Sequence, residues 1–309
     1  MLQPSAIQTA YQHVQPYARR TPTIQLETGA FGVPTSLNLK LESLQHTGTF
    51  KLRGAINFMR SQDSIPAAGV VAASGGNHGI AVAYAAKLLG HPAEIFVPSI
   101  SSPVKQARIR ELGATVTVAG DVYADALAAS QERVATTGAL NIGAYQQAEV
   151  IAGQGTVALE WAQQEPSLDT VLVAVGGGGL IAGVCGWFAG RVKVVAVEPV
   201  TSAALHHARA AGELVDVDVS GVAADSLGAK RIGELAFELT QQYVAESVLV
   251  TDDAIVDAQQ RLWGEMRFAA EPGGATALAA LISGVYQPQE GERVGVLVCG
   301  GNVNPGTLG

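Results

Sequence analysis

The chain has 309 residues, of which 48% are hydrophobic and 15% charged, and its formal net charge is −8 at pH 7. This composition is typical of a globular protein with a large core, and it excludes a disordered chain. The negative charge argues against a nucleic-acid partner, because nucleic-acid binding depends on Lys and Arg side chains that neutralise phosphates.

Short runs of β-branched residues alternate along the chain with Ala-rich stretches of helical character. In chain order we predict strand 70–73, helix 80–89, strand 95–97, helix 103–112, strand 115–118, helices 123–136 and 148–164, strand 170–175, helix 180–189, strand 192–197, helices 252–269 and 274–285, and strand 294–299. Strands that alternate with helices indicate an α/β protein in which helices cover both faces of mainly parallel sheets.

The uncharged segment 170–190 is long enough to span a bilayer. It contains four consecutive glycines at 176–179, however, and each would cost roughly 1 kcal/mol in a helix. A buried strand, a tight loop and a short buried helix explain it better, so we expect no membrane partner. The first residues lack the features of a signal peptide, and two cysteines are too few for a disulfide framework. We therefore expect a cytoplasmic location.

Lys51 and three glycine-rich loops carry the most informative chemistry. Lys51 lies in His-Thr-Gly-Thr-Phe-Lys-Leu-Arg-Gly at 46–54, and the loops are 74–79, 176–180 and 299–302. A lysine in an apolar neighbourhood can form a Schiff base with an aldehyde cofactor. Consecutive glycines can bring backbone N–H groups against a phosphate, above all where a strand leads into a helix. Together these features predict a site for pyridoxal phosphate, with its aldehyde on Lys51 and its phosphate on the four-glycine loop.

The order and spacing of these four motifs resemble those of the fold-type II pyridoxal phosphate enzymes, in particular the serine/threonine dehydratase and serine racemase branch. The resemblance extends over roughly residues 20–305. It implies two open, mainly parallel sheets flanked by helices, with the cofactor in the cleft between a large and a small domain. The large cofactor-binding domain would comprise residues 1–65 and 147–309, and the small mobile domain residues 66–146. It also implies a homodimer.

The resemblance further assigns roles to individual residues. The cofactor-binding residues would be Phe50, Lys51, Asn77, Gly176, Gly177, Gly178, Gly179, Leu180, Gly221, Glu271 and Cys299. The substrate carboxylate would meet the loop formed by Ser74, Gly75, Gly76, Asn77 and His78. Within these sets, Asn77 would meet the ring hydroxyl and Cys299 the pyridine nitrogen. Alternatives stay open at four positions: core packing for Phe50, capping or packing for His78, a surface salt bridge for Glu271 and an inert buried thiol for Cys299.

Two departures from the family pattern bear on function. Racemases of this family have a serine at the position of Gly75, where it reprotonates the opposite face of the carbanion, and glycine has no side chain to do so. Relatives that bind a divalent metal use the glutamate of Glu-Pro and an aspartate six residues later. Here Glu198 is present but the later position is Ala204, so we expect no metal site.

The resemblance implies α,β-elimination of water from L-threonine or L-serine, small amino-acid substrates that would yield a 2-oxo acid and ammonia. Lys51 would be the catalytic base that removes the Cα proton. The alternatives are a serine racemase, a dehydratase of a larger 3-hydroxy amino acid, a β-replacement enzyme, and a protein of this fold that binds an amino acid without catalysis.

Overall fold

The computed structural model describes residues 2–308. In that part of the chain the α-helices are α1 (Pro4–Val14), α2 (Lys51–Arg60), α3 (Asn77–Leu89), α4 (Pro103–Glu111), α5 (Tyr123–Thr137), α6 (Ala148–Gln164), α7 (Gly179–Phe188), α8 (Ala204–Ala211), α9 (Ala224–Leu227), α10 (Glu234–Tyr243), α11 (Asp252–Met266) and α12 (Pro272–Ile282). The strands are β1 (Thr23–Leu26), β2 (Leu37–Leu41), β3 (Val70–Ala73), β4 (Ala93–Val97), β5 (Thr115–Val118), β6 (Leu140–Asn141), β7 (Thr170–Ala174), β8 (Lys193–Pro199), β9 (Val244–Val250) and β10 (Val294–Val298).

These strands form two sheets. One has six strands in the order β1-β2-β10-β7-β8-β9, and the other has four in the order β5-β4-β3-β6. Every neighbouring pair is parallel except β1 and β2, which are antiparallel. The predicted α/β architecture with two mainly parallel sheets is therefore confirmed.

The core of the larger sheet consists of the strands β2, β7 and β10, which are buried along their whole length. Strands covered on both faces need apolar side chains on both, which explains the Val-Leu-Val run that β7 and β10 each contain. Helix α12 packs against β7, β8 and β10, while α6 and α7 pack on each other. At the α6–α7 contact, a Cβ on Gly183 would come closer than 3.0 Å to the backbone of Gly155, so the two helices meet through glycine.

The predicted elements are present, with differences at their ends. The helix predicted to reach residue 269 ends at Met266, because Arg267 adopts a left-handed conformation with φ 56°. The last predicted helix begins earlier, at Pro272, because proline suits the first turn of a helix. The structure also contains elements that we did not predict, namely α1, α2, α8, α9, α10, β1, β2, β6 and β9.

All four strands of the smaller sheet lie between residues 70 and 141. They fall inside the segment 66–146, and the division into a large and a small mobile domain stays a prediction. The carboxyl ends of β3, β7 and β10 lead directly into the three glycine-rich loops, which is where open α/β sheets bind ligands. Within residues 2–308, no helix combines the length and the hydropathy needed to cross a membrane.

Candidate active site

A cavity lies where the carboxyl ends of β7 and β10 meet the first turns of α2, α3 and α7. About 480 Å³ of space between the lining atoms belongs to it, and part of that space is open solvent. Its lining comprises Phe50, Lys51, Asn77, Tyr145, residues 174–181, Ser226, Leu227, Glu271, Gly273 and Cys299. The structure thus brings together every residue predicted to bind the cofactor except Gly221.

Lys51 is the first residue of α2, and its amine lies inside this cavity. Its Nζ donates a hydrogen bond to the carbonyl oxygen of Ala144 at 3.0 Å and lies 5.2 Å from the centre of the Phe50 ring. Burial lowers the pKa of the Lys51 amine to about 8, although the neighbouring Cys299 and Glu271 oppose the shift. A substantial fraction of the amine is therefore neutral near pH 8, as a nucleophile or base must be.

The four-glycine loop forms a cradle that side chains would fill. Gly178 has φ 90°, a left-handed conformation that favours glycine. A Cβ on Gly177 would come closer than 3.0 Å to the ring of Tyr145, and one on Gly176 would meet the backbone of Leu227 equally closely. Helix α7 begins at Gly179, so the N–H groups of its first turn have no intrahelical acceptors. They and the helix dipole suit an anion such as a phosphate.

Asn77 and Glu271 meet on another wall of the cavity. The Nδ2 of Asn77 donates to the Oε1 of Glu271 at 2.7 Å. Glu271 is 7% exposed, and burial raises its pKa to about 7, although the hydrogen bond from Asn77 opposes the shift. Glu271 is thus a buried group of the cavity. A surface salt bridge, the alternative role, does not describe it.

Cys299 follows β10 and is buried in the cavity wall. Its Sγ donates to the carbonyl oxygen of Gly273 at 3.4 Å. Burial, reinforced by Glu271, raises the pKa of the thiol well above its ordinary value. The thiol is therefore neutral and brings no positive charge or strong acid to the cavity. Such a partner suits a pyridine nitrogen that remains unprotonated.

The loop after β3 contributes less to the cavity than we predicted. Of its five predicted residues, only Asn77 lines the cavity. His78 is buried, and its Nε2 pairs with the carbonyl oxygen of Ile142 at 2.8 Å. Burial lowers the pKa of His78 to about 4, so the ring is neutral and its packing role gains support. The contacts predicted for Ser74, Gly75, Gly76 and His78 with substrate stay predictions.

Gly75 faces a side chain from another loop. A Cβ on Gly75 would come closer than 3.0 Å to the Oγ of Ser101. Gly221 lies elsewhere, beside Thr201 and Asp252. It does not line the cavity, so its predicted contact with the cofactor also stays a prediction.

Several lining residues carry no signal in the sequence. Tyr145 follows the short strand β6, and Ser226 and Leu227 belong to α9. Ser226 accepts a hydrogen bond from the backbone N–H of Gly273 at 3.1 Å, which ties α9 to the start of α12. These residues lie outside the glycine-rich motifs, and only the fold brings them to the cavity.

The carboxylate of Glu198 is hydrogen-bonded to backbone groups of the protein. Its two carboxylate oxygens accept backbone N–H groups of Leu205 at 2.8 Å and His206 at 2.7 Å, at the start of α8. Across residues 2–308, no group of three or more His, Cys, Asp and Glu side chains is placed to hold a metal ion. Glu198 therefore serves here to satisfy a helix N-terminus.

The donor set of the cavity fits pyridoxal phosphate. An amine with a lowered pKa can meet an aldehyde, and the glycine cradle leaves room and N–H donors for a phosphate. The Asn77 amide and the neutral Cys299 thiol can face polar atoms of a ring.

Comparison with known proteins agrees with this fit. The family model described as "Pyridoxal-phosphate dependent enzyme" matches residues 14–300. The chain is 36% identical to an L-threonine ammonia-lyase of Geobacter sulfurreducens, over 100% of this chain and 77% of that one. It is also 36% identical to a phenylserine dehydratase of Ralstonia pickettii, over 98% of this chain and 94% of that enzyme. The structure of maize serine racemase superposes with a TM-score of 0.93 at 34% identity, covering 99% of this chain and 95% of that one.

Proposed function

Because the chain belongs to the family of pyridoxal-phosphate dependent enzymes, we propose that it is an ammonia-lyase acting on L-threonine or L-serine. The reaction is α,β-elimination of water from the amino acid, which yields a 2-oxo acid and ammonia. The similarity to an L-threonine ammonia-lyase along the whole chain supports this assignment. The amine of Lys51, which lines the same cavity as the four-glycine cradle, is the observation that carries it.

In this proposal each part of the cavity has one task. When bound, pyridoxal phosphate supplies an electron sink that stabilises negative charge at the substrate Cα. Lys51 would hold its aldehyde in the resting enzyme, and the substrate amine would take the place of Nζ there. The freed, neutral Nζ would then be the base that accepts the Cα proton. The N–H groups of residues 176–180 would hold the phosphate, and Asn77 and Cys299 would face polar ring atoms. The Phe50 ring near the amine and the Tyr145 ring beside Gly177 would limit the access of water to both.

Elimination is favoured over racemisation by Gly75. A racemase needs a second acid on the face that Lys51 does not serve, and Gly75 brings no side chain to the loop after β3. The hydroxyl of Ser101 occupies the space that a side chain at 75 would fill, but neither residue lines the cavity. A second candidate is dehydration of a larger 3-hydroxy amino acid, which the similarity to a phenylserine dehydratase supports.

The test is release of 2-oxo acid from L-threonine, L-serine and phenylserine by the protein loaded with pyridoxal phosphate, with Lys51→Ala as the control. We expect release that the variant loses by at least about a thousandfold, the scale on which an essential base contributes. Formation of D-serine without 2-oxo acid would establish the racemase instead. Release from phenylserine alone would establish the second candidate.

We further propose that the protein is a cytoplasmic homodimer whose segment 66–146 moves relative to the rest of the chain. Both cysteines are free thiols, which suits a reducing compartment. The resemblance to the serine racemase branch supports the dimer. Analytical ultracentrifugation of the loaded protein tests it, and a single species with the mass of one chain would contradict it.

A further inference from the structure

Asn302, the last residue of the third glycine-rich loop, joins two other motifs through its side chain. Its Nδ2 donates to the backbone carbonyl oxygen of Thr47 at 2.9 Å and to the Oδ1 of Asn77 at 2.8 Å. A primary amide has two N–H groups, and these two acceptors use both. The orientation of Asn302 follows from Thr47, because a backbone carbonyl oxygen can only accept.

The backbone around Gly48 is shaped to admit this amide. Gly48 has φ 77°, and a Cβ there would come closer than 3.0 Å to the Oδ1 and Cγ of Asn302. Any other residue at 48 would be strained and would displace the amide. The oxygen side of the Asn302 amide thus packs on Gly48 while its nitrogen side faces Thr47 and Asn77.

The orientation of Asn302 fixes that of Asn77. Because Asn302 donates to the Oδ1 of Asn77, the Nδ2 of Asn77 points to the opposite side, where it donates to Glu271. One N–H of Asn77 is then left for the cavity that this residue lines. The cavity meets a donor at Asn77, whereas the flipped amide would present an acceptor there and turn its oxygen toward the Oε1 of Glu271.

We propose that Asn302 is a positioning residue that holds the Asn77 amide with its N–H, and not its carbonyl, turned to the cofactor cavity. The proposal rests on the function proposed above, since the N–H would meet the ring oxygen of pyridoxal phosphate. The same contacts join three segments that are far apart in sequence, because Asn302 contacts both Thr47 and Asn77. Thr47, Glu271 and Asn302 belong to the segments around the larger sheet, and Asn77 follows a strand of the smaller one.

A double-mutant cycle separates positioning from general loop structure. The full chain is freed of cofactor and titrated with pyridoxal phosphate, and the dissociation constant is measured for wild type, Asn302→Ala, Asn77→Ala and the double variant. We expect Asn302→Ala to weaken binding roughly tenfold in the wild-type background. In the Asn77→Ala background the same change should matter less than about twofold, because Asn302 no longer has an amide to orient.

Asn302→Asp and Asn304→Asp form a matched pair of variants, in which the first tests the proposal and the second is its control. Asn302→Asp keeps the size of the side chain and removes both donors, so it should weaken cofactor binding at least as much as alanine does, and it serves if the alanine variant does not fold. Asn304 lies two residues after this loop, and its side chain accepts a local hydrogen bond from the N–H of Gly306 at 3.0 Å. An aspartate can still accept that bond, so Asn304→Asp adds the same charge with little effect on binding.

Equal losses from Asn302→Ala in both backgrounds, or no loss in either, would overturn the positioning role. The visible absorption band of the bound cofactor, which depends on the ionisation of its ring oxygen, should shift in Asn302→Asp and not in Asn304→Asp. A wild-type protein that binds pyridoxal phosphate but releases no 2-oxo acid would contradict the proposed function, and the cycle would still test Asn302.

Discussion

At the scale of single residues, the reactivity of Lys51 is set by the enclosure of its amine. Burial lowers its pKa to about 8, whereas lysines in water titrate near ~10.4. We predict that modification of Lys51 by trinitrobenzenesulfonate in the cofactor-free protein is half-maximal near pH 8 and constant above pH ~9. The measurement is peptide mass spectrometry after brief labelling across pH 6–11, with the exposed lysines of the same chain as reference. Labelling of Lys51 that still rises at pH 11 would contradict the prediction.

The pair Gly75 and Ser101 leads to a second prediction at this scale. A Cβ at 75 would overlap the Oγ of Ser101. Both residues are partly exposed, so Gly75→Ser alone should reduce the free energy of unfolding by about 1 kcal/mol, the lower end of the cost of overpacking. Ser101→Ala makes room, so the double variant should regain most of this stability and should form D-serine from L-serine more readily than Gly75→Ser. Urea unfolding and a chiral amino-acid assay measure the two effects, with Ser101→Ala as control. A Gly75→Ser protein as stable as wild type would show that the two positions do not compete for space.

The site was predictable where one stretch of sequence carries a whole function. Lys51 and residues 176–180 could be identified because a lysine beside an apolar residue, or a glycine run after a strand, has its chemistry fixed locally. The contact between Asn77 and Glu271 joins residues 194 positions apart. Tyr145 enters the cavity only because β6 is the edge strand that pairs with β3. No local pattern encodes such contacts.

At the scale of elements, helix α2 is anchored by a buried cluster of charges beneath Lys51. Arg53 is 1% exposed, and its guanidinium contacts Glu42 at 2.7 Å and Glu160 at 3.1 Å. Lys40 contacts Glu160 at 2.6 Å. Burial alone would raise the pKa of Glu42, but Arg53 lowers it below its ordinary value. Two cations therefore balance two carboxylates in the core, and α2 is held in place at its first turn.

This balance predicts a large loss of stability when one cation is removed. Arg53→Met leaves Glu42 and Glu160 with Lys40 alone, and breaking a buried pair in this way costs about 3–5 kcal/mol. Arg108→Met, which breaks an exposed pair with Glu111 on α4, should cost less than about 1 kcal/mol. Urea unfolding followed by circular dichroism compares the two variants. Similar losses in both would mean that the buried cluster does not anchor α2.

Elements whose burial is visible as a run of apolar residues were predicted, and elements that bury polar residues were not. Strands β3, β7 and β10 were predicted because each is a short apolar run covered on both faces. Helix α2 was not predicted, because it begins at Lys51 and its buried face includes Arg53 and Asn57. Their burial depends on partners from other elements, such as Glu160 on α6, so the pattern of apolar residues does not reveal it.

At the scale of the whole molecule, an exposed ion pair next to the cavity is among the contacts that tie the segments of the two sheets together. Lys105 on α4 contacts Asp225 on α9, next to the cavity residue Ser226, and the two side chains are 32% and 76% exposed. Exposed pairs contribute about 0–1 kcal/mol. The tie is therefore weak enough to break and reform, as a cleft that admits and releases a small molecule requires.

The rate at which Cys299 is alkylated measures such opening. Its thiol lies in the cavity wall, and burial there raises the thiol pKa far above the ordinary value, so the thiol reacts slowly while the cavity is closed. We predict that Lys105→Ala increases the rate of alkylation of Cys299 by iodoacetamide up to about fivefold, the equivalent of 1 kcal/mol. In wild type, 1 M salt should have a similar effect, because it screens the exposed pair. In the variant, which no longer has the pair, salt should add little.

Two controls isolate this tie from general loosening of the fold. Cys185 is 0% exposed inside α7, and its alkylation should remain slow in every sample. Arg231→Ala breaks an exposed ion pair with Asp216, in which both partners lie outside the smaller sheet, so it should not accelerate Cys299. Equal rates for Cys299 in wild type and Lys105→Ala would mean that the pair does not limit opening. The cavity would then be closed by contacts that span both sheets, such as that between Asn77 and Glu271, and Asn77→Ala should accelerate the alkylation instead.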